Sequence, residues 1–132
     1  MSDFALLPVL AGALAFFVVG AVWYTALFGK AWQKAAGFTD EELQGGNMAV
    51  MFGLTFLFEV LIGMVLWHLI ARTGAAPHVV MMMSIGLALG VMGPAIGINY
   101  IYQRKPLSLF LIDVGHFTVG MAAMGGVFLL FL

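Results

Sequence analysis

Four stretches of the chain, at about 6–28, 48–69, 78–100 and 107–132, run on with hardly a charged side chain in them. A helix rises 1.5 Å per residue, so about 20 apolar residues are needed to cross the hydrocarbon of a bilayer. Each stretch is long enough. A β-barrel wall would instead alternate apolar and polar residues in segments of about ten, and the sequence has no such pattern. The chain is therefore expected to be an all-α polytopic membrane protein, a four-transmembrane-helix bundle forming one domain over residues 1–132.

Composition agrees with lipid as the solvent. Hydrophobic residues make up 64% and charged ones 8%, against about 25% charged in an ordinary soluble domain. So few charges could not cover a water-facing surface. The 17 glycines fit helices that approach closely in a membrane. A net charge of −1, with Arg104-Lys105 as the only adjacent basic pair, gives no reason to expect nucleic acid. Cysteine is absent, which excludes disulfides, thiolate metal sites and a cysteine nucleophile. "MSDFALLP" lacks the basic start of a cleaved signal peptide, so the first stretch reads as a retained helix.

The connections carry the local signals. In "GKAWQKAAGFTDEELQGGN", Lys30 and Lys34 lie one turn apart with Trp32 between them, as suits a helix end in the headgroup zone. Gly37 can end that helix. Thr39 and Glu42 have capping-box spacing, and Phe38 and Leu43 occupy the staple positions, so a short interfacial helix is expected at about 40–44. The later connections are short, and Pro77 and Pro106 suit the first turns of the third and fourth helices. Each consecutive pair is expected to form an antiparallel hairpin. Lys30, Lys34, Arg104 and Lys105 sit at one end and only Arg72 at the other. The positive-inside rule then places both termini outside the cytoplasm.

The two halves align weakly. "LTFLFEV" (54–60) matches "SLFLIDV" (108–114) with Glu59 opposite Asp113, while "VWYTALFGK" and "GINYIYQRK" end the first and third helices, where Tyr24 corresponds to Tyr100 and a basic residue follows a few positions later in both. Two parallel hairpin repeats would produce this pattern.

Depth singles out a group of polar residues. Glu59 lies about 16 Å in from Met48, and Asp113 and His116 about 9 and 13 Å in from Leu107. Trp23, Tyr24, Asn99 and Tyr100 fall in the same half of the membrane. An aspartate at the centre of a helix costs about 2.5–3.5 kcal/mol to insert, so Glu59 and Asp113 must be protonated, paired or wetted. One reading is a proton or ligand site: Glu59 and Asp113 as acceptors, His116 as relay, Trp23 and Tyr24 as an aromatic wall, with Asn99 and Tyr100 completing the group. Asp113 and His116, three apart, share a helix face and could form an ion pair. The other reading is structural, with Glu59 bonded to Tyr24, Asn99 or His116 and tying helices together. Pro94 should kink the third helix, and Gly90, Gly93 and Gly97 give it a hinge or a close-packing side. His68 and His78 stand near the opposite end, where a cofactor could sit only if they were level; no cofactor and no metal are expected. The sequence has no Gly-rich phosphate loop, nucleophile elbow or HExxH, so enzymatic activity is not expected. Four helices enclose little space, and a homodimer is expected.

"GAVWYTALFGKAWQKAAGFTDEEL" and "NYIYQRKPLSLFLIDVGHFTVGMAAMG" together resemble a small bacterial four-helix membrane family known as domain of unknown function 1761. The resemblance rests on Trp23, Tyr24, Phe28, Gly29, Lys30, Trp32, Glu59, Asn99, Tyr100, Ile112 and Asp113 and covers nearly the whole chain. It implies a bacterial inner-membrane protein with four spans, and no established activity. Size, span number and a mid-membrane glutamate are also similar to the small multidrug exporters that work as antiparallel dimers. Their glutamate is in the first helix, whereas here it is in the second. The functional expectation is a small proton-coupled transporter or channel with an intramembrane acidic site. The alternative is a non-transporting structural or accessory subunit whose buried polar residues fix helix packing.

Overall fold

The computed structural model describes residues 5–132. Residues 1–4, the start of "MSDFALLP" and the N-terminal end assigned above to one side of the membrane, lie outside the described residues. The helices run in the order α1 (Leu6–Val22), a π turn (Trp23–Leu27), α2 (Gly29–Ala36), α3 (Asp40–Gln44), α4 (Met48–Thr73), α5 (Pro77–Leu87), a second π turn (Ala88–Met92), α6 (Gly93–Gln103) and α7 (Leu107–Leu129). Four spans are long and apolar enough to cross a membrane: Leu6–Leu27, Met48–Thr73, Pro77–Gln103 and Leu107–Leu129.

Local chemistry explains most of the boundaries. The Thr39 side chain accepts from the Glu42 N–H while the Glu42 carboxylate accepts from the Thr39 N–H, both at 3.2 Å. That capping box starts α3 and satisfies donors a helix start leaves free. The Asn47 side chain accepts from the Val50 N–H and starts α4. Gly37 ends α2 at φ 80°, a left-handed conformation that a Cβ would strain. Phe38, at a staple position, stacks on Trp32 with ring centroids 5.5 Å apart. Pro77 opens α5 from within its first turn, whereas Pro106 occupies the N-cap of α7, one place earlier than the sequence suggested.

Packing departs from a simple run of hairpins. α1 lies along α4 and, most extensively, along α7; α5 and α6 lie along α7. The second and third spans barely meet, although a short turn joins them. The hairpins within each half form as expected, but the one expected between the halves does not close. The halves dock through α1 and α7 instead.

Rings set into glycines explain that choice. A Cβ on Gly120 would lie 2.6 Å from the Phe16 ring, one on Gly115 2.8 Å from Trp23, and one on Gly20 2.9 Å from His116. Gly12 faces Phe128 in the same way. Each helix therefore offers both rings and the notches that receive them, in antiparallel order. Lipid gives helices no hydrophobic reason to associate, so such interdigitation is the main attraction available. Around this seam the core gathers Val9, Ala13, Leu66, Trp67, Ile70, Met121 and Met124, all buried. Outward lie Leu7, Val18, Leu57, Phe58, Val65 and Leu89, a surface that suits acyl chains and would aggregate in water.

The third span corrects one expectation. Its inward residues are Val80, Ser84, Ala88 and Gly93, with Gly97 against Phe110. The spacing is four residues except for five across Ala88–Gly93, where the π turn takes up one extra residue. Gly90 falls in that turn and is rotated off the face: it is exposed, and a Cβ on it would touch nothing. Only Gly93 and Gly97 pack closely. Pro94, itself exposed, follows directly, so the irregularity expected at the proline takes the form of a π turn. The Gly93 N–H donates to the Ala88 carbonyl five residues back.

Candidate functional site: a buried acidic and aromatic network

Asp113 lies two turns into α7 and is 6% exposed. The Tyr24 hydroxyl donates to its Oδ1 at 2.6 Å, and the Tyr100 hydroxyl donates to its Oδ2. One carboxyl group is thus held by phenols from two other spans. A carboxylate only accepts, so two O–H donors match it without a cation. Trp23 adds a third tie: its indole N–H donates to the Ile112 carbonyl at 2.9 Å while its ring rests in the notch at Gly115. Trp23 and Tyr24 reach this face from a π turn, in which the Phe28 N–H donates to the Trp23 carbonyl five residues back. Immediately afterwards Gly29 lets α2 start against the Tyr24 carbonyl, and α2 brings Trp32 edge-on to Tyr24 at 5.9 Å.

His116 occupies the next turn of α7 and is 8% exposed. Phe16 and Tyr24 meet its ring edge-on, with centroids 5.4 and 4.9 Å away, and its Nε2 end points into the Gly20 notch. Neither ring nitrogen has a hydrogen-bond partner. The ion pair available to Asp113 and His116 is therefore not made: the tyrosines hold both carboxylate oxygens, and the imidazole turns toward α1.

Glu59, on α4, is 4% exposed, and its Oε2 has no partner. Phe56 on Phe17, and Gly63 on Val9, bracket it along α1. That register sets Glu59 level with the Ala13–Phe16 stretch. Measured along α1, the ionisable groups descend from Tyr24 (Asp113) to Gly20 (His116) and then to Ala13–Phe16 (Glu59). The first step is four residues, about 6 Å, and the second four to seven residues, about 6–10 Å. The carboxyl groups of Glu59 and Asp113 stand on different levels rather than side by side.

Of the residues singled out in the sequence, Trp23, Tyr24, Tyr100, Asp113 and His116 come together, and Glu59 lies beyond them. Asn99 does not join: it is exposed, one residue from Tyr100 and so on another side of α6. His68 and His78 are exposed, and among the described residues no three His, Asp or Glu side chains gather closely enough to hold a metal ion. Gly20, Gly115 and Trp32 escaped sequence reasoning. The first two carry no chemistry of their own and matter only through the ring each receives, while Trp32 reads from the sequence as an interface anchor.

Four apolar spans around a buried acidic, phenolic and imidazole network define the class: a multi-pass helical membrane protein with ionisable groups held at membrane depth. More particularly, the model of the family described as protein of unknown function (DUF1761) matches residues 7–129, and the chain belongs to that family. No characterised protein and no solved structure matches it.

Proposed function

We propose that the protein is a small proton-coupled transporter or channel of the bacterial inner membrane, with Glu59 and His116 as its proton-exchanging groups. The observation that carries this reading is the unequal satisfaction of the network. Asp113 has a donor for each oxygen, whereas Glu59 Oε2 and both nitrogens of His116 are buried without partners. An unpaired polar atom at membrane depth costs several kcal/mol, so a fold that only needed packing would be more stable with apolar residues there. Ionisable groups retained inside a membrane mark ion and proton routes. In this reading Asp113, Tyr24 and Tyr100 hold the entrance, and His116 and Glu59 accept protons at successive depths. Lys30, Lys34, Arg104 and Lys105 face the cytoplasm, both termini face the periplasm, and two copies associate in the bilayer.

Proteoliposomes under an imposed pH gradient test it. Wild-type protein should carry protons, alone or in exchange for a cation, and Glu59→Gln should abolish the flux while leaving the fold intact. Equal flux from both would exclude Glu59 as an exchanging group.

The second reading, a structural or accessory subunit, draws support from the Asp113 clasp, which joins three spans and needs no transported species to explain it. Under that reading Glu59→Gln leaves every flux at background and changes only thermal stability in detergent.

A further inference from the structure

We propose that His116 is a two-position proton switch: neutral, its ring seats in the Gly20 notch; protonated, it swings to Asp113, displaces Tyr24 and loosens α1 from α7 at the basic end. This rests on the proposed function's reading of His116 as a proton-exchanging group and adds how its charge reaches the helices.

The argument begins with the notch. Gly20, Phe16 and Phe117 surround the ring, and neither nitrogen has a partner there. A neutral imidazole there already carries the cost of one unpaired N–H and one unpaired acceptor nitrogen. Proton uptake from the aqueous phase places a second N–H and a full positive charge in the same space, with no acceptor for either N–H. The titratable groups on the surrounding helices are few. Asp113 is on its own helix, Tyr24 on α1, Tyr100 on α6 beyond Asp113, and Glu59 on α4 one level deeper. Asp113 is one turn away on the same helix face, within reach by side-chain rotation. An imidazolium there makes a charge-assisted hydrogen bond to a carboxylate oxygen, stronger than the phenolic one it replaces.

Tyr24 is what the swing releases. Its hydroxyl ties α1 to α7 through Asp113, and its ring edges on both His116 and Trp32 of α2. Removing that hydrogen bond and emptying the Gly20 notch together relax the end of the seam that carries the π turn. When the imidazolium returns its proton to water, the Nε2 end reseats at Gly20 and Tyr24 recovers Asp113. No other reactant takes part.

The sequence has no cysteine, so a label pair can be introduced without background. Ala26→Cys and Ser108→Cys are both exposed, at the basic ends of the first and fourth spans. With nitroxide labels on both, pulsed electron resonance in lipid nanodiscs reads their separation at about pH 8 and about pH 4, the lower value well past the range in which an exposed histidine charges. The wild-type background should lengthen by several ångström on acidification. His116→Gln should give the short distance at both values, and Asp113→Asn should lose the acid response. Gly20→Ala, whose Cβ would stand 2.9 Å from Nε2, should evict the ring and give the long distance at both. An unchanging wild-type distance, or an acid response that survives His116→Gln, would overturn the switch. Proton flux without movement removes the switch and keeps the transport reading. Movement without flux does the reverse.

Discussion

Asp113 concentrates the tertiary hydrogen bonding at the basic end, and its two donors are not interchangeable with one. Tyr24→Phe and Tyr100→Phe should each lower unfolding free energy by about 1 kcal/mol, as for interhelical hydrogen bonds in bilayers. The double substitution leaves a buried carboxyl group without a donor and should cost more than the sum. Unfolding measured in bicelles checks this, and additivity would argue that the two bonds act independently. Arg104 is the second residue under tension. It ends α6 at φ 58°, the only non-glycine residue with positive φ among those described. That conformation costs a residue with a Cβ roughly 1–2 kcal/mol, while the Lys105 N–H closes the turn on the Tyr100 carbonyl at 3.0 Å. Arg104→Gly should therefore stabilise the isolated protein by about 1 kcal/mol, read by the same unfolding measurement.

Helix by helix, the glycines divide by what faces them. Gly115→Ala and Gly120→Ala drive a methyl into the Trp23 and Phe16 rings and should destabilise by about 1–3 kcal/mol through overpacking. Gly86→Ala and Gly90→Ala meet nothing within contact distance and should be neutral or gain up to about 1 kcal/mol from helix propensity. Thermal unfolding of the four variants in one detergent decides it; a loss at Gly90 like that at Gly120 would show that its face is covered in the folded protein. This division was not legible in the sequence. A soluble helix advertises its inner face by being polar on the other side, but a membrane helix is apolar all round. Hence the spans, the cap at Thr39 and the depth of Asp113 can be read from order alone, whereas the outward turn of Asn99 and Gly90 cannot. The π turns compound the difficulty, because each shifts every later residue of its span around the axis by one position. Tyr24 and Tyr100 correspond in the sequences of the two halves, yet both serve Asp113 and neither serves Glu59.

Across the whole molecule, two hairpins meet through their first and last helices, with Lys30, Lys34, Arg104 and Lys105 at the end nearest the clasp. If the positive-inside bias governs insertion, a C-terminal reporter should be active only when it is of a kind that works outside the cytoplasm. Cytoplasmic activity would reverse the proposed orientation. The central claim is that the buried network is divided, with Asp113 and its tyrosines holding the bundle and Glu59 exchanging protons. Measuring proton flux and unfolding free energy on the same reconstituted samples of wild type, Glu59→Gln and Tyr100→Phe tests it most directly. The expected result is flux lost with stability kept for Glu59→Gln, and stability lowered with measurable flux kept for Tyr100→Phe. Stability lost and flux untouched in Glu59→Gln would contradict it.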